Sequence, residues 1–289
     1  MAHQADFQLG ATRELIGAGK TTRLVLTGLA LLFVTYVLIA GLLAVGQGRL
    51  IYPAPRAIGA ATGGFEDVRY RTEDGLELAA GYRAGLTGFP TIVYFHGNGA
   101  DWVSSVVATD RLVPAGYGVL AAEYRGYRGN PGTPNEEGLY RDGRAAMEFL
   151  AARGIEPDEV VVIGNSIGSG VAVQIASETP PAALVLISPF ASLSQLVGEK
   201  FRWLPTGLLL RDRYDNVGKL ANIDVPTLLL HGDADTLIPH LHAERLVEAN
   251  PAVELRIFEG YGHDLAWHDV AEEAVIAFLA ANLVRSGGL

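Results

Sequence analysis

The sequence predicts an α/β protein, with a mostly parallel central sheet flanked by helices and one transmembrane helix before it. Three observations carry that expectation. Six short apolar runs alternate with helical stretches: TIVYFHG (91–97), GVLAAEY (118–124), VVVIGNS (160–166), ALVLIS (183–188), TLLLHG (227–232) and ELRIFEG (254–260). Their hydrophobicity is continuous rather than alternating, which marks strands buried on both faces, and strand–helix alternation calls for parallel pairing. At the N-terminus, the stretch from Leu24 to Val45 carries no charge at all.

That apolar stretch organises the N-terminal part of the chain. As a helix it reaches about 33 Å, enough for a hydrocarbon core of about 30 Å. A cleaved signal peptide has a shorter apolar core, and Ala44-x-Gly46 is a poor cleavage site. A buried core helix would show a polar stripe, and none is present. The expectation is therefore a tail at 1–23, an uncleaved single-pass anchor at 24–45, a Gly-, Ala- and Pro-rich linker at 46–64, and the main α/β domain at 65–289. Arg13, Lys20 and Arg23 precede the span while Arg49 and Arg56 follow it, a one-charge excess that favours an extracytoplasmic domain. GAGKTT at 17–22 is not a phosphate loop, because Glu14 stands where that loop needs glycine and no strand precedes it.

Within the domain, VRYRT and LELAAGYR around Glu73-Asp74-Gly75 predict a hairpin. Helices are expected near 102–114, 136–152, 168–178, 240–249 and 268–284. With 289 residues, 49% of them apolar, the chain can bury one sizeable core. Its formal charge of −10 opposes nucleic-acid binding, which rests on Lys/Arg clusters. The absence of cysteine excludes disulfides, thiolate nucleophiles and Cys-based zinc sites. His240-x-His242 near Asp233 and Asp235 does not make a metal site, since an i, i+2 pair on a helix diverges. Neither a metal nor an organic cofactor is expected.

In parallel sheets, chemistry collects at the carboxyl ends of the strands. Those ends carry His96-Gly97-Asn98-Gly99, Asn165-Ser166, Asp233 with Asp235, and Gly260-Tyr261-Gly262-His263. In Gly164-Asn165-Ser166-Ile167-Gly168 the glycines permit a tight strand-to-helix turn that projects the serine outward, in a conformation costing about 1–3 kcal/mol. The Ile167 N–H then points toward developing negative charge, and the Asn98 N–H is the expected second oxyanion donor. A serine needs an imidazole to take its proton and an acid to orient that imidazole. Among the seven histidines, His263 alone follows the last expected strand in a Gly-x-Gly-His turn. Asp233, Asp235 and Asp264 compete for the acid.

VYFHGNGA, EYRGYRGNPGTPNEEGLYRD, VVIGNSIGSGVA, LLLHGDADTLIP and GYGHDL together resemble the α/β-hydrolase superfamily over about 65–285, and within it the membrane-anchored Bem46 / ABHD13 / ABHD17 group. The resemblance implies an α/β-hydrolase fold with a small or absent lid, Ser166 as nucleophile, His263 as base and Asp235 as orienting acid. HGDADTLIP fits the family's His-Gly-x-x-Asp pattern with Asp235, leaving Asp233 to order its loop. The Glu123–Gly129 loop is expected to brace the rim, and the apolar cluster at 204–210 to line an acyl pocket, meet a bilayer or pack on the sheet.

The resulting expectation is a membrane-anchored serine hydrolase acting on carboxylic esters or thioesters through an acyl-enzyme. A serine peptidase of the same fold is the alternative enzyme. A catalytically silent, membrane-anchored binding module is the alternative outside enzymes.

Overall fold

In the computed structural model, all six apolar runs become strands, and each strand divides its side chains between two cores. The described residues are 2–54 and 63–283, and they form two units that meet at Gln47–Gly48. In the second unit the strands are β1 (Glu66–Arg71), β2 (Glu77–Arg83), β3 (Thr91–Phe95), β4 (Gly118–Ala122), β5 (Val160–Asn165), β6 (Ala183–Ile187), β7 (Thr227–Gly232) and β8 (Glu254–Phe258). They lie in the order β1-β2-β4-β3-β5-β6-β7-β8. The β1–β2 hairpin and its junction with β4 are antiparallel, and every other pair is parallel.

On one face Val93, Phe95, Leu120, Val162 and Leu229 meet helices α3 (Glu136–Ala151), α4 (Ile167–Glu178), α7 (Asn216–Leu220) and α8 (Leu241–Ala249). On the other, Ile92, Tyr94, Val161, Ile163 and Leu230 meet α2 (Trp102–Val107) and α9 (Asp269–Asn282). Burial on both sides is what demanded unbroken apolar runs.

The helices depart from expectation in two places. The one expected at 102–114 stops at Val107 and continues as turns. Its end is a run of i→i+3 bonds at Thr109 and Asp110, where β-branched residues lead toward Pro114 and Gly116. Between β6 and β7, α5 (Leu193–Lys200), α6 (Thr206–Leu209) and α7 are too short to show a period. Side-chain caps start two of them, Ser192 Oγ taking the Gln195 N–H at 3.1 Å and Asp215 Oδ1 taking the Gly218 N–H at 3.1 Å. α5 and α6 form the small cap.

The first unit is helical. Helix α1 (Ala2–Ile51) contains the apolar span, and Thr22–Ile51 is long and apolar enough to cross a membrane by length and composition. Most apolar side chains of that stretch are exposed, Leu42 by 74%. The helix runs past Val45, so the expected linker begins as helix, and Tyr52 after it is buried in the second unit's core. Residues 55–62 of that linker, with Arg56, and 284–289 of the expected domain lie outside the described residues.

Candidate active site

Strand β5 ends at Asn165 and α4 begins at Ile167, so Ser166 makes the turn alone, at φ 52° and ψ −119°. That is the left-handed region, which a side chain occupies at a cost of about 1–3 kcal/mol. The flanking glycines have a different reason from the expected one. Neither Gly164 nor Gly168 takes a positive φ. A Cβ on Gly168 would sit 2.1 Å from the Phe95 carbonyl oxygen, and one on Gly164 would sit 2.5 Å from the Gly168 carbonyl oxygen. The glycines let α4 close onto β3 and β5, and the strain falls on the serine.

Ser166 Oγ lies 2.9 Å from His263 Nε2, and His263 Nδ1 lies 2.7 Å from Asp235 Oδ2. The other Asp235 oxygen accepts the Leu237 and Ile238 N–H groups at 2.9 and 2.8 Å. Burial pushes the Asp235 carboxyl up, but hydrogen bonds from His231 and His263 and from the Ile238 N–H outweigh it and hold the pKa well below the usual carboxylate range. An ionised Asp235 accepts a hydrogen bond from the Nδ1–H, leaving Nε2 to accept from the Ser166 hydroxyl.

The loops carrying the acid and the histidine are locked together. Asp233 Oδ1 accepts the Gly260 N–H at 2.7 Å, and the Ala234 N–H donates to the Tyr261 carbonyl at 3.0 Å. Asp233 thus orders the loop, while Asp264 pairs with His268 at 3.1 Å. Asn98 lies on the loop that leaves β3, and a Cβ on its neighbour Gly97 would come 3.2 Å from Ser166 Cβ. Among the described residues no acceptor takes the backbone N–H of Asn98 or Ile167.

The rim loop braces, as expected. Arg125 pairs with Asp142 and Asp74, each at 2.8 Å, and Arg128 pairs with Asp101 at 2.8 Å. Tyr127 Oη donates to Asn98 Oδ1 at 3.0 Å, and Asn98 Nδ2 donates to the Ile51 carbonyl. His96 braces through Nε2 at 2.7 Å from the buried Glu123, which also accepts the Trp102 N–H at 3.0 Å. Burial depresses the His96 pKa, but the Glu123 carboxylate against it reverses the direction and raises it. His231 Nε2 lies 2.7 Å from the Ile238 carbonyl.

Sequence reasoning placed Glu123 in the bracing loop without giving it His96 as partner, and it missed Tyr52. Glu123, an acid closing an apolar run, carried a signal. Tyr52 carried none, because it sits in what reads as a linker. Its hydroxyl lies 2.8 Å from Asp212 Oδ2 and 2.9 Å from Tyr214 Oη. Among the described residues no cluster of His, Asp and Glu has the makings of a metal site.

A doubly covered, largely parallel sheet, with a serine at its strand-to-helix turn, defines an α/β-hydrolase fold. Residues 92–217 match the profile of the alpha/beta hydrolase family. An uncharacterized protein of Mycobacterium tuberculosis, Rv2307c, is 38% identical over 229 residues, covering 75% of this chain and 80% of that protein. The uncharacterized protein YfhR of Escherichia coli is 28% identical over 68% of this chain and 72% of its own length. The Pyrococcus furiosus esterase Pf2001 superposes with a TM-score of 0.66 at 22% identity, over 81% of this chain and 99% of that one. An alpha-beta hydrolase of Vibrio vulnificus superposes with a TM-score of 0.67 at 21% identity, over 81% and 92%. The chain belongs to the alpha/beta hydrolase family.

Proposed function

We propose that the protein is a membrane-anchored serine hydrolase of carboxylic esters or thioesters, of the Bem46-like kind. The observation that carries this reading is the unbroken line of hydrogen bonds from Ser166 Oγ through His263 to Asp235, at 2.9 and 2.7 Å, with the serine in a strained turn. In this mechanism Ser166 Oγ attacks the acyl carbonyl as His263 Nε2 takes its proton. Asp235 holds the imidazole tautomer and balances the imidazolium charge. The Ile167 and Asn98 N–H groups receive the oxyanion, each such donor being worth about 2.7–4 kcal/mol of barrier. His263 then protonates the leaving alcohol or thiol, and water, activated by the same imidazole, releases the acyl group.

The esterase among the structural neighbours agrees with ester chemistry, though the fold alone assigns no substrate. The apolar span favours acyl substrates near a bilayer, with the domain on the extracytoplasmic side. Covalent labelling with a fluorophosphonate tests the nucleophile: the wild type labels and Ser166→Ala does not. Equal labelling of both, or none of the wild type, refutes the assignment. A series of p-nitrophenyl esters beside aminoacyl amides tests the bond class, and turnover of amides alone would favour a peptidase.

A further inference from the structure

The cap between β6 and β7 has a charge opposite to that of the chain. Over residues 200–213 of it, Lys200, Arg202, Arg211 and Arg213 stand against the single acid Asp212, in a protein of formal net charge −10. All four cations are exposed. Asp212 accepts from the buried Tyr52 hydroxyl at 2.8 Å, so its charge is engaged toward the core. Glu199, the acid just before the segment, is held by Arg245 at 2.7 Å.

Large apolar side chains are interleaved with these cations. Phe201, Trp203 and Leu208 are 42%, 52% and 87% exposed. A single exposed leucine means little, but two rings and a leucine among four cations match the composition of interfacial membrane segments. The segment is fastened from beneath by Leu210 and Tyr214, both buried. It also adjoins the acid loop. Lys200 Nζ donates to the Thr236 carbonyl at 3.3 Å, one residue beyond Asp235, and Leu237 next to it is 50% exposed.

We propose that this cap surface docks on an anionic phospholipid bilayer, with Phe201, Trp203 and Leu208 in the headgroup region and the four cations on lipid phosphates. Charge complementarity selects this occupant, since an acidic protein meets an anionic surface favourably only where cations are locally concentrated. The candidate membrane span in the same chain, by its length and composition, would bring such a surface within the protein's reach. Docking would turn the rim beside Asp235 toward lipid. That consequence, but not the docking, rests on the hydrolase reading.

The test uses the full chain reconstituted into vesicles of phosphatidylcholine, alone or mixed with phosphatidylglycerol, containing bromine-labelled acyl chains. Trp102 is buried, so Trp267→Phe leaves Trp203 as the exposed tryptophan. Quenching of Trp203 should be several-fold stronger in the phosphatidylglycerol mixture and should fall with added salt. It should drop to the phosphatidylcholine level in Lys200→Gln/Arg202→Gln, and Leu208→Asp should weaken it in both lipids, with unchanged circular dichroism in each variant. Absent quenching, or quenching equal in the two lipids and indifferent to the charge substitutions, overturns the proposal. Fluorophosphonate labelling of the same samples reports on Ser166 separately, so the two readings fail independently.

Discussion

Replacing Gly168 by alanine tests whether the glycines of the serine turn act through packing. The new Cβ would lie 2.1 Å from the Phe95 carbonyl oxygen and 2.7 Å from that of His96, both backbone atoms that cannot swing aside. Relieving the overlap requires α4 to retreat from the end of β3 by about 1 Å. Overpacking of this kind costs about 1–3 kcal/mol of stability, and a 1 Å misplacement of reacting groups costs about 10²-fold in rate. The retreat moves Ser166 and the Ile167 N–H together, away from the loop that carries Asn98. Turnover of a p-nitrophenyl ester should therefore fall about a hundredfold in kcat, with KM changed less. The variant should remain folded by circular dichroism, with a lowered Tm. Gly97→Ala is the internal control: its Cβ approaches Ser166 Cβ at 3.2 Å, a fit that a few tenths of an ångström relieve, so its loss should be much smaller. Wild-type kcat and Tm in Gly168→Ala would refute the packing account. Equal losses in both variants would refute the ranking by overlap.

Four further outcomes follow from the same geometry. Asp235→Asn should lower kcat about 10⁴-fold by presenting the wrong imidazole tautomer, whereas Asp264→Asn should leave it nearly unchanged; ester kinetics distinguish them. Glu123→Ala strands the buried His96 and should destabilise by about 3 kcal/mol in urea unfolding. Tyr52→Phe removes the hydroxyl shared by Asp212 and Tyr214 and should cost about 1–3 kcal/mol in the same assay. Burial, with Asp110 beside it, pushes Glu272 from its ordinary 4.5 up to about 7. The folded state then binds more protons than the unfolded one across that window, so this contribution is full below 4.5 and is lost as pH rises through 7. The Tm of the wild type relative to that of Glu272→Gln should fall steadily as pH rises from 4.5 to 8.

The sheet was legible because burial on both faces leaves an unbroken apolar signature in β3 to β7, and six runs marked six strands within two residues at their ends, although the edge strand β8 is only partly buried. Ser166, Asp235 and His263 were legible because each follows such a run, where a polar residue has no packing reason to be. What was not legible is short or distant. Helices α5, α6 and α7 hold too few turns for a period, and side-chain caps start α5 and α7. Tyr52 joins Asp212 and Tyr214 across most of the domain's length, and no local pattern announces a pairing over such a separation.

The segment after Val45 bears most directly on how the two units are joined. A Gly-, Ala- and Pro-containing stretch reads as a tether whose composition leaves the domain free. Yet the Ile51 carbonyl accepts from the Asn98 side chain, and Tyr52 is buried in the core with its hydroxyl against Asp212 and Tyr214. Those contacts place residues 48–54 inside the second unit, beside the loop whose backbone N–H is the proposed second oxyanion donor. A domain boundary drawn at residue 65 would therefore cut away a buried tyrosine and a hydrogen bond to the oxyanion loop. Truncation after Gln47 keeps both and truncation after Ala54 removes both, so comparing the kcat of the two separates loss of the apolar span from loss of the bracing.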